Sequence, residues 1–321
     1  MTLFIPSPSI SSFQLGPLTI HIYALCLITG IIAAWVLGLR RWRARGGGQE
    51  SFETVLIWAI PIGILGARLY HVLTHLGDYF APGRNPWSVF FIWEGGIAIY
   101  GAIGFGALAA WLVARRLGIA FAALADSLAP GIAIGQALGR FGNWFNQELY
   151  GQPTDLPWGL EIDEAHRAPG FEQYATFHPT FLYESLWNLF VAGVLLWADR
   201  RFRLGRGKVF ALYIALYGFG RIFTEQLRLD YSYDVFGPIR FNAAVAILIC
   251  AAGVLLFAWL VKYRPGREDV VEPEPAPPAA GADGAANEQE PEPEEDAAAS
   301  SAGEPAETRR AEPGEEPSRR E

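Results

Sequence analysis

The sequence predicts an all-α integral membrane protein of about seven transmembrane helices, followed by a disordered acidic tail. Three observations carry this. Of 321 residues, 51% are apolar and only 18% are charged, and the mean hydropathy is positive at +0.20. Seven stretches approach the roughly 20 apolar residues that a bilayer crossing needs. The charge is also split along the chain. Residues 268–321 hold 17 acidic and four basic side chains, so the net charge of −8 belongs to the tail and the body is net positive.

The apolar stretches lie at 19–39, 54–76, 89–113, 120–138, 181–198, 207–226 and 241–261. No Lys or Arg precedes Arg40 and the first stretch exceeds an ordinary signal-peptide core, which argues against a cleavable signal. Leu25 stands just before Cys26, and so large a residue there argues against a lipid-modified cysteine. The fourth stretch is interrupted by Pro130 and several glycines, which membrane helices tolerate where neighbours pack closely. Residues 268–321 are rich in Pro, Ala, Glu and Gly, lack aromatics, and cannot bury enough surface to fold. The expected organisation is a membrane domain over 1–267 and a disordered cytoplasmic tail over 268–321.

Lys and Arg in the loops set the expected orientation. Fourteen follow the first, third, fifth and seventh stretches, from Arg40 to Arg267, whereas five lie on the other side and none in the N-terminal arm. The N-terminus is therefore expected outside and the C-terminus in the cytoplasm. Scattered basic residues form no stripe, so nucleic acid is not an expected partner. The two cysteines, Cys26 and Cys250, sit in apolar runs and offer neither a disulfide scaffold nor a thiolate metal cluster.

Ionisable groups inside a bilayer are costly and point to function. Counted along the expected spans at about 1.5 Å per residue, they share one depth near the outer face. Tyr23, Arg68, Glu94, Tyr100, Arg140, Asn143, Glu148, His178, Glu184, Tyr217, Arg221 and Glu225 all fall in this layer. The cytoplasmic halves are expected to be nearly free of such groups. Several arginines with a few carboxylates suit an anionic lipid headgroup, because a guanidinium binds phosphate through two parallel hydrogen bonds. Plainer readings stand beside this one. Arg68 could pair with Glu94 and only fix packing; Arg221 and Glu225, spaced i, i+4, could pair with each other. His71 and His75 share that spacing, yet no nearby carboxylate or cysteine completes a metal site. Tyr23 could belong to an aromatic belt.

The densest segment is Gly139-Arg140-Phe141-Gly142-Asn143-Trp144-Phe145-Asn146-Gln147-Glu148-Leu149-Tyr150-Gly151. It is expected just where the fourth helix ends. If helical, it puts Arg140, Asn143 and Gln147 on one face.

That segment resembles the signature of the prolipoprotein diacylglyceryl transferases, approximately G-R-x-G-N-x-x-N-x-E-x-x-G, at every fixed position. Further similarities follow in order: His21-Ile22-Tyr23, Gly66-Ala67-Arg68, Trp93-Glu94-Gly95-Gly96, His178-Pro179-Thr180 through Tyr183-Glu184, and Tyr217-Gly218-Phe219-Gly220-Arg221 with Glu225. The likeness extends over roughly residues 15–262. It implies an enzyme of the bacterial cytoplasmic membrane, with its site toward the outer leaflet. Such an enzyme moves the diacylglyceryl group of phosphatidylglycerol onto the lipobox cysteine of an exported preprolipoprotein, forming a thioether and releasing glycerol phosphate. Neither cofactor nor metal is implied; the partners are phosphatidylglycerol, lipobox-containing preprolipoproteins and membrane lipids.

The resemblance also implies roles. Arg140, Asn143, Tyr23, Gly151 and Arg221 bind the lipid, with Arg140 on the phosphate and Arg221 stabilising the departing group. Arg140, Arg221, Tyr217, Tyr100, Glu148 and His178 are the catalytic candidates, and Arg68, Glu225 and Glu184 support them. The chain departs from the family at Tyr100, where many members have histidine. A phenol with pKa about 10 is a weak base near neutrality, so Tyr100 is expected to position the headgroup. His178 and Glu184 are left as candidates for proton handling, with a structural hydrogen-bonding role favoured for His178. Two rival readings are a multi-pass small-molecule transporter and an inactive lipid-binding scaffold. The first predicts polar groups through both leaflets and an internal repeat, and neither is evident. The second rests on Tyr100 alone.

Overall fold

The computed structural model describes residues 4–229, 234–236 and 239–273; of Glu94, residues 234–236 and Ile239 only the backbone is described. Residues 274–321, most of the expected tail, lie outside the described residues.

Eight α-helices follow in order: α1 Ile22–Arg43, α2 Gln49–Thr74, α3 Leu76–Phe80, α4 Ile99–Arg116, α5 Phe121–Asn146, α6 Thr180–Phe202, α7 Lys208–Leu227 and α8 Phe241–Tyr263. Five of them, α1, α2, α5, α6 and α8, are long and apolar enough to cross a membrane. The helices α4 and α7 are 18 and 20 residues long; α4 ends in Arg115 and Arg116, and α7 carries Lys208, Arg221 and Glu225. Outward-facing aliphatic side chains stay uncovered, as Leu255 does at 70% exposure. That much bare apolar surface calls for lipid as the surrounding solvent.

Among the described residues, three two-stranded antiparallel ribbons accompany the helices. The first, β1 (Ser12–Leu15) with β2 (Leu18–His21), turns at Gly16, whose φ of +61° suits glycine. It runs straight into α1 and so fixes where Tyr23 stands. The second, β3 (Leu160–Glu161) with β4 (Thr176–Phe177), belongs to a small domed loop whose core is Tyr150, Leu160, Ile162, Phe177 and Phe181. The third, β5 (Asp234–Phe236) with β6 (Ile239–Arg240), leads into α8.

The expected boundaries shift in two places. The third apolar stretch is not helical before Ile99; residues 86–94 form two short 3-10 turns. Gly95 and Gly96, with φ of +89° and +70°, then redirect the chain. The fourth stretch, conversely, stays helical through Asn146, so the signature segment forms the last turns of α5 and does not follow its end.

Small residues set the packing. α1 lies along α5, and a Cβ on Gly30 would come within 2.8 Å of the Gly135 carbonyl oxygen. α7 and α8 approach as closely, since a Cβ on Gly253 would stand 2.4 Å from the Ala215 nitrogen. Such contacts drive helix association where lipid removes the hydrophobic drive. α6 touches both α5 and α7, and there the apolar core gathers Ala133, Val191, Leu195, Val209 and Tyr213.

The end of the bundle opposite Tyr23 is far from free of polar groups, contrary to expectation. Asp126 is fully buried and its two oxygens accept from the Gly207 and Phe210 amides at 3.0 and 2.9 Å, which caps α7. Arg41 and Arg45 reach Asp199 at 3.0 and 3.2 Å, and Arg267 also pairs with Asp199.

Residues 264–273 then run as a strap over this end. Lys208 donates to the Arg264 and Gly266 carbonyls, and Glu268 accepts from the Arg206 amide. The Val271 carbonyl accepts from Ala120 at 2.8 Å, while its side chain is buried with Trp42, Phe52 and Val55. Glu272 accepts from the Gly48 amide and the Ser51 hydroxyl. Packing therefore continues past the expected boundary at 267/268. Losing one buried Val side chain and one cap costs roughly 3 kcal/mol. A chain ending at Arg267 should melt roughly 5 °C or more below one ending at Pro273. Thermal unfolding of the two truncations in detergent checks this.

Candidate functional site

The residues picked from the sequence come from helix ends that all meet at one end of the bundle: the start of α1, the end of α2, the start of α4, the end of α5, the start of α6 and the end of α7. The alternation of up and down helices brings them together. Beside them opens a cavity of about 710 Å³, lined by Tyr23, Tyr100, Arg140, Asn143, Tyr217 and Arg221 among others.

A buried carboxylate organises its wall. Glu184, on the first turns of α6, holds Arg140 from α5 at 2.5 Å through Oε2. Its Oε1 receives Arg221 from α7 at 3.2 Å, with Arg228 at 3.7 Å. Arg221 also pairs with Glu225 one turn along α7, at 2.5 Å, and Glu225 accepts from Asn242 on α8 at 2.9 Å. The Glu184 side chain is 6% exposed, whereas those of Arg140 and Arg221 are 21% and 20% exposed. The acid is thus sealed behind two cations whose remaining surface faces the cavity. An anion entering there meets two guanidiniums already oriented, at little cost in reorganisation.

Other partners tune this arrangement. Arg140 donates to the Asn143 side-chain oxygen at 3.4 Å, and Asn143 donates on to Glu148 at 2.9 Å. The helix ends with Gln147 at φ +52°, its side chain tied to Asp163. Gly142 leaves room for the Tyr23 ring, since a Cβ would come within 2.4 Å of it. Gly151 sits under His178, where a Cβ would be 2.8 Å from both the His178 Cβ and the Leu227 carbonyl oxygen.

Four of the named residues stand one layer back from the cavity wall. Glu148 acts on Asn143, and Gly151 forms a bridge with Arg228 that fixes the end of α7. His178 shares a 3.2 Å hydrogen bond with the Tyr183 hydroxyl. Burial pushes its imidazole below the usual histidine range, so it is neutral near pH 7. The Arg68 guanidinium donates to the Ser88, Val89, Gly95 and Gly96 carbonyls and folds the 88–96 segment back onto α2. His71 and His75 stack at 4.3 Å, and the Tyr79 hydroxyl meets His71 Nδ1 at 3.0 Å. Tyr100, in contrast, is on the cavity wall and more than half exposed.

Sequence reasoning passed over Arg228, Asn242 and Asn188. The first had a signal, since Arg221, Glu225 and Arg228 are spaced along one helical face. Asn242 had another, as a lone amide at the mouth of a long apolar run.

The family model for prolipoprotein diacylglyceryl transferase matches residues 11–259. Among curated proteins, the phosphatidylglycerol–prolipoprotein diacylglyceryl transferase of Cutibacterium acnes is 55% identical over 267 residues, covering 83% of this chain and 90% of the relative. The protein of the same name from Streptomyces griseus is 52% identical over 272 residues, covering 84% and 82%. A second such enzyme of Streptomyces coelicolor is 50% identical over 281 residues.

The geometry makes Glu184 the residue whose charge the arginines depend on. Glu184→Gln keeps the shape and removes the charge, leaving Arg140 and Arg221 facing each other. Breaking a buried pair in this way costs about 3 kcal/mol. The expected result is a clear fall in melting temperature in detergent, and an unchanged melting curve would rule the dependence out.

Proposed function

The chain belongs to the prolipoprotein diacylglyceryl transferase family, and on that premise we infer its reaction and the residues that carry it. The protein transfers the diacylglyceryl group of phosphatidylglycerol to the lipobox cysteine of a prolipoprotein. The observation that carries the site assignment is the pair Arg140 and Arg221, drawn together by one buried carboxylate at the edge of a 710 Å³ cavity.

In the proposed mechanism the headgroup phosphate lies against Arg140, which Asn143 and Glu184 orient. The cysteine sulfur attacks the glyceryl carbon of the lipid. A C–S bond forms and the C–O bond to phosphate breaks, so negative charge grows on the departing glycerol phosphate. Arg221, backed by Glu225, meets that charge. Thiolate is the reactive form of sulfur, and nearby guanidiniums favour it; the thiol proton leaves to solvent or to a basic group. Tyr23, Tyr100 and Tyr217 present hydroxyls on the cavity wall and suit the glycerol portion. Glu148, Gly151 and His178 act by shaping that wall. Tyr100, a weak base exposed on that wall, serves as a positioner.

The proposed membrane placement has seven spans in the bacterial cytoplasmic membrane, with the arginine layer toward the outer leaflet. Two features support it: the Lys and Arg bias of the loops, and the chemistry, because exported lipobox cysteines emerge on that face. The tail beyond the strap is proposed to be a cytoplasmic solvating appendage.

The test is transfer itself. Purified protein, phosphatidylglycerol and a lipobox peptide should give a diacylglyceryl adduct on cysteine, read by mass spectrometry, and a Cys→Ser peptide should give none. Arg140→Ala should lower turnover by about a hundredfold or more while membrane insertion is unaffected. Tyr100→Phe should retain at least about a tenth of the activity, the loss of one hydrogen bond. Normal turnover by Arg140→Ala would remove the phosphate assignment.

A further inference from the structure

Behind the arginine wall lies a second, much smaller space. It is a recess of about 10 Å³ between α6 and α7, bounded by Glu184, Asn188, Tyr217, Arg221 and Thr224 and floored by Trp187 and Gly220. Asn188, Tyr217 and Arg221 also border the large cavity, so the recess and the cavity share a wall. A void of this size holds one water and nothing larger.

Its lining is incompletely paired. Asn188 is 4% exposed and Thr224 8% exposed, yet neither Asn188 Oδ1 nor Thr224 Oγ1 has a hydrogen-bond partner among the described residues. Buried polar atoms without partners are rare and costly. Two of them bordering one recess point to a shared ligand. Glu184, Arg221 and Tyr217 also line the recess, and their side chains carry a carboxylate, guanidinium donors and a hydroxyl. A water needs two to four such partners, and this lining supplies acceptors and donors together. The Trp187 indole is not among them, since its N–H is donated to the Leu216 carbonyl at 3.0 Å.

We propose that this recess is a site for a single bound water, and that Asn188 and Thr224 are positioning residues acting through that water on the Arg221–Glu184 pair. Asn188 lies one turn beyond Glu184 on α6, and Thr224 lies between Arg221 and Glu225 on α7. The water ties the two helices together at the level of the ion pair and holds Arg221 toward the large cavity. Neither residue need touch the substrate. The hydration of the recess stands on geometry alone; its effect on turnover rests on the proposed reaction.

Thr224→Val tests both parts, because it removes the hydroxyl and keeps the shape. With a bound water the variant loses a satisfied hydrogen bond, so its melting temperature falls. With a dry recess it loses only an unpaired hydroxyl, so its melting temperature rises. For the purified protein in detergent we expect the fall. We also expect kcat to drop about tenfold with the KM for phosphatidylglycerol changed less than about twofold, as befits a group acting on charge that develops late. Thr224→Ser should restore both. Asn188→Leu provides a second reading, with the same fall in kcat expected. A raised melting temperature for Thr224→Val overturns the water site. A lowered melting temperature with unchanged kcat overturns the positioning role. A wild-type protein without transfer activity would instead count against the reaction, and the melting comparison would still decide the water.

Discussion

A single buried carboxylate gathers cations that would otherwise repel. Glu184 accepts Arg140 from α5 and Arg221 from α7, and lies within reach of Arg228 beyond α7. Two guanidiniums at such short range could not share a low-dielectric wall without it. The hub thereby sets the relative position of three helices at their ends, and the small-residue contacts set it along their lengths. Stability and chemistry draw on the same pairings here. The acid is covered, the cations are partly uncovered, and the uncovered part is what an anionic headgroup would meet.

Much of this was legible in the chain. Seven apolar runs correspond to seven helices of 18 residues or more among the described residues. The polar residues grouped by depth do meet at one end. Alternating helix direction brings Tyr23, Arg140, Glu184 and Arg221 to the same end. The start of α4 was not legible. Residues 89–94 are apolar and aromatic, as a span would be, but apolar content does not distinguish an interfacial turn from a helix. Only the conformations of Gly95 and Gly96 separate them. The extent of α5 was hidden for the opposite reason. Its last turns are polar because they carry the site, so composition suggested an end that the backbone does not make.

The far end of the bundle was missed because its pairings are tertiary. Arg45, Asp126, Asp199 and Arg267 lie far apart in sequence; Arg45, Asp199 and Arg267 each read alone as a loop charge, and Asp126 stands alone inside the fourth apolar stretch. Together they form a buried network in which Asp126 caps α7 and Asp199 receives three arginines. Glu184 pairs with arginines from two neighbouring helices, and its place is set by which helices flank α6, a fact no local pattern encodes.

The strap formed by residues 264–273 has a consequence for the order in which the protein can be completed. It bonds to the loops around Gly48, Ala120 and Arg206, three turns made much earlier in the chain. Those amides cannot find these partners until the segment after α8 has emerged from the ribosome. The helices can insert and pair one after another during synthesis, but this face closes last, and through contacts of very high sequence separation. Folding of the bundle is thus divided into a local, vectorial stage and a single late closure. A nascent chain stalled within α8 would hold its helices while leaving these three loop amides and the apolar slot for Val271 open to water and to quality-control proteases.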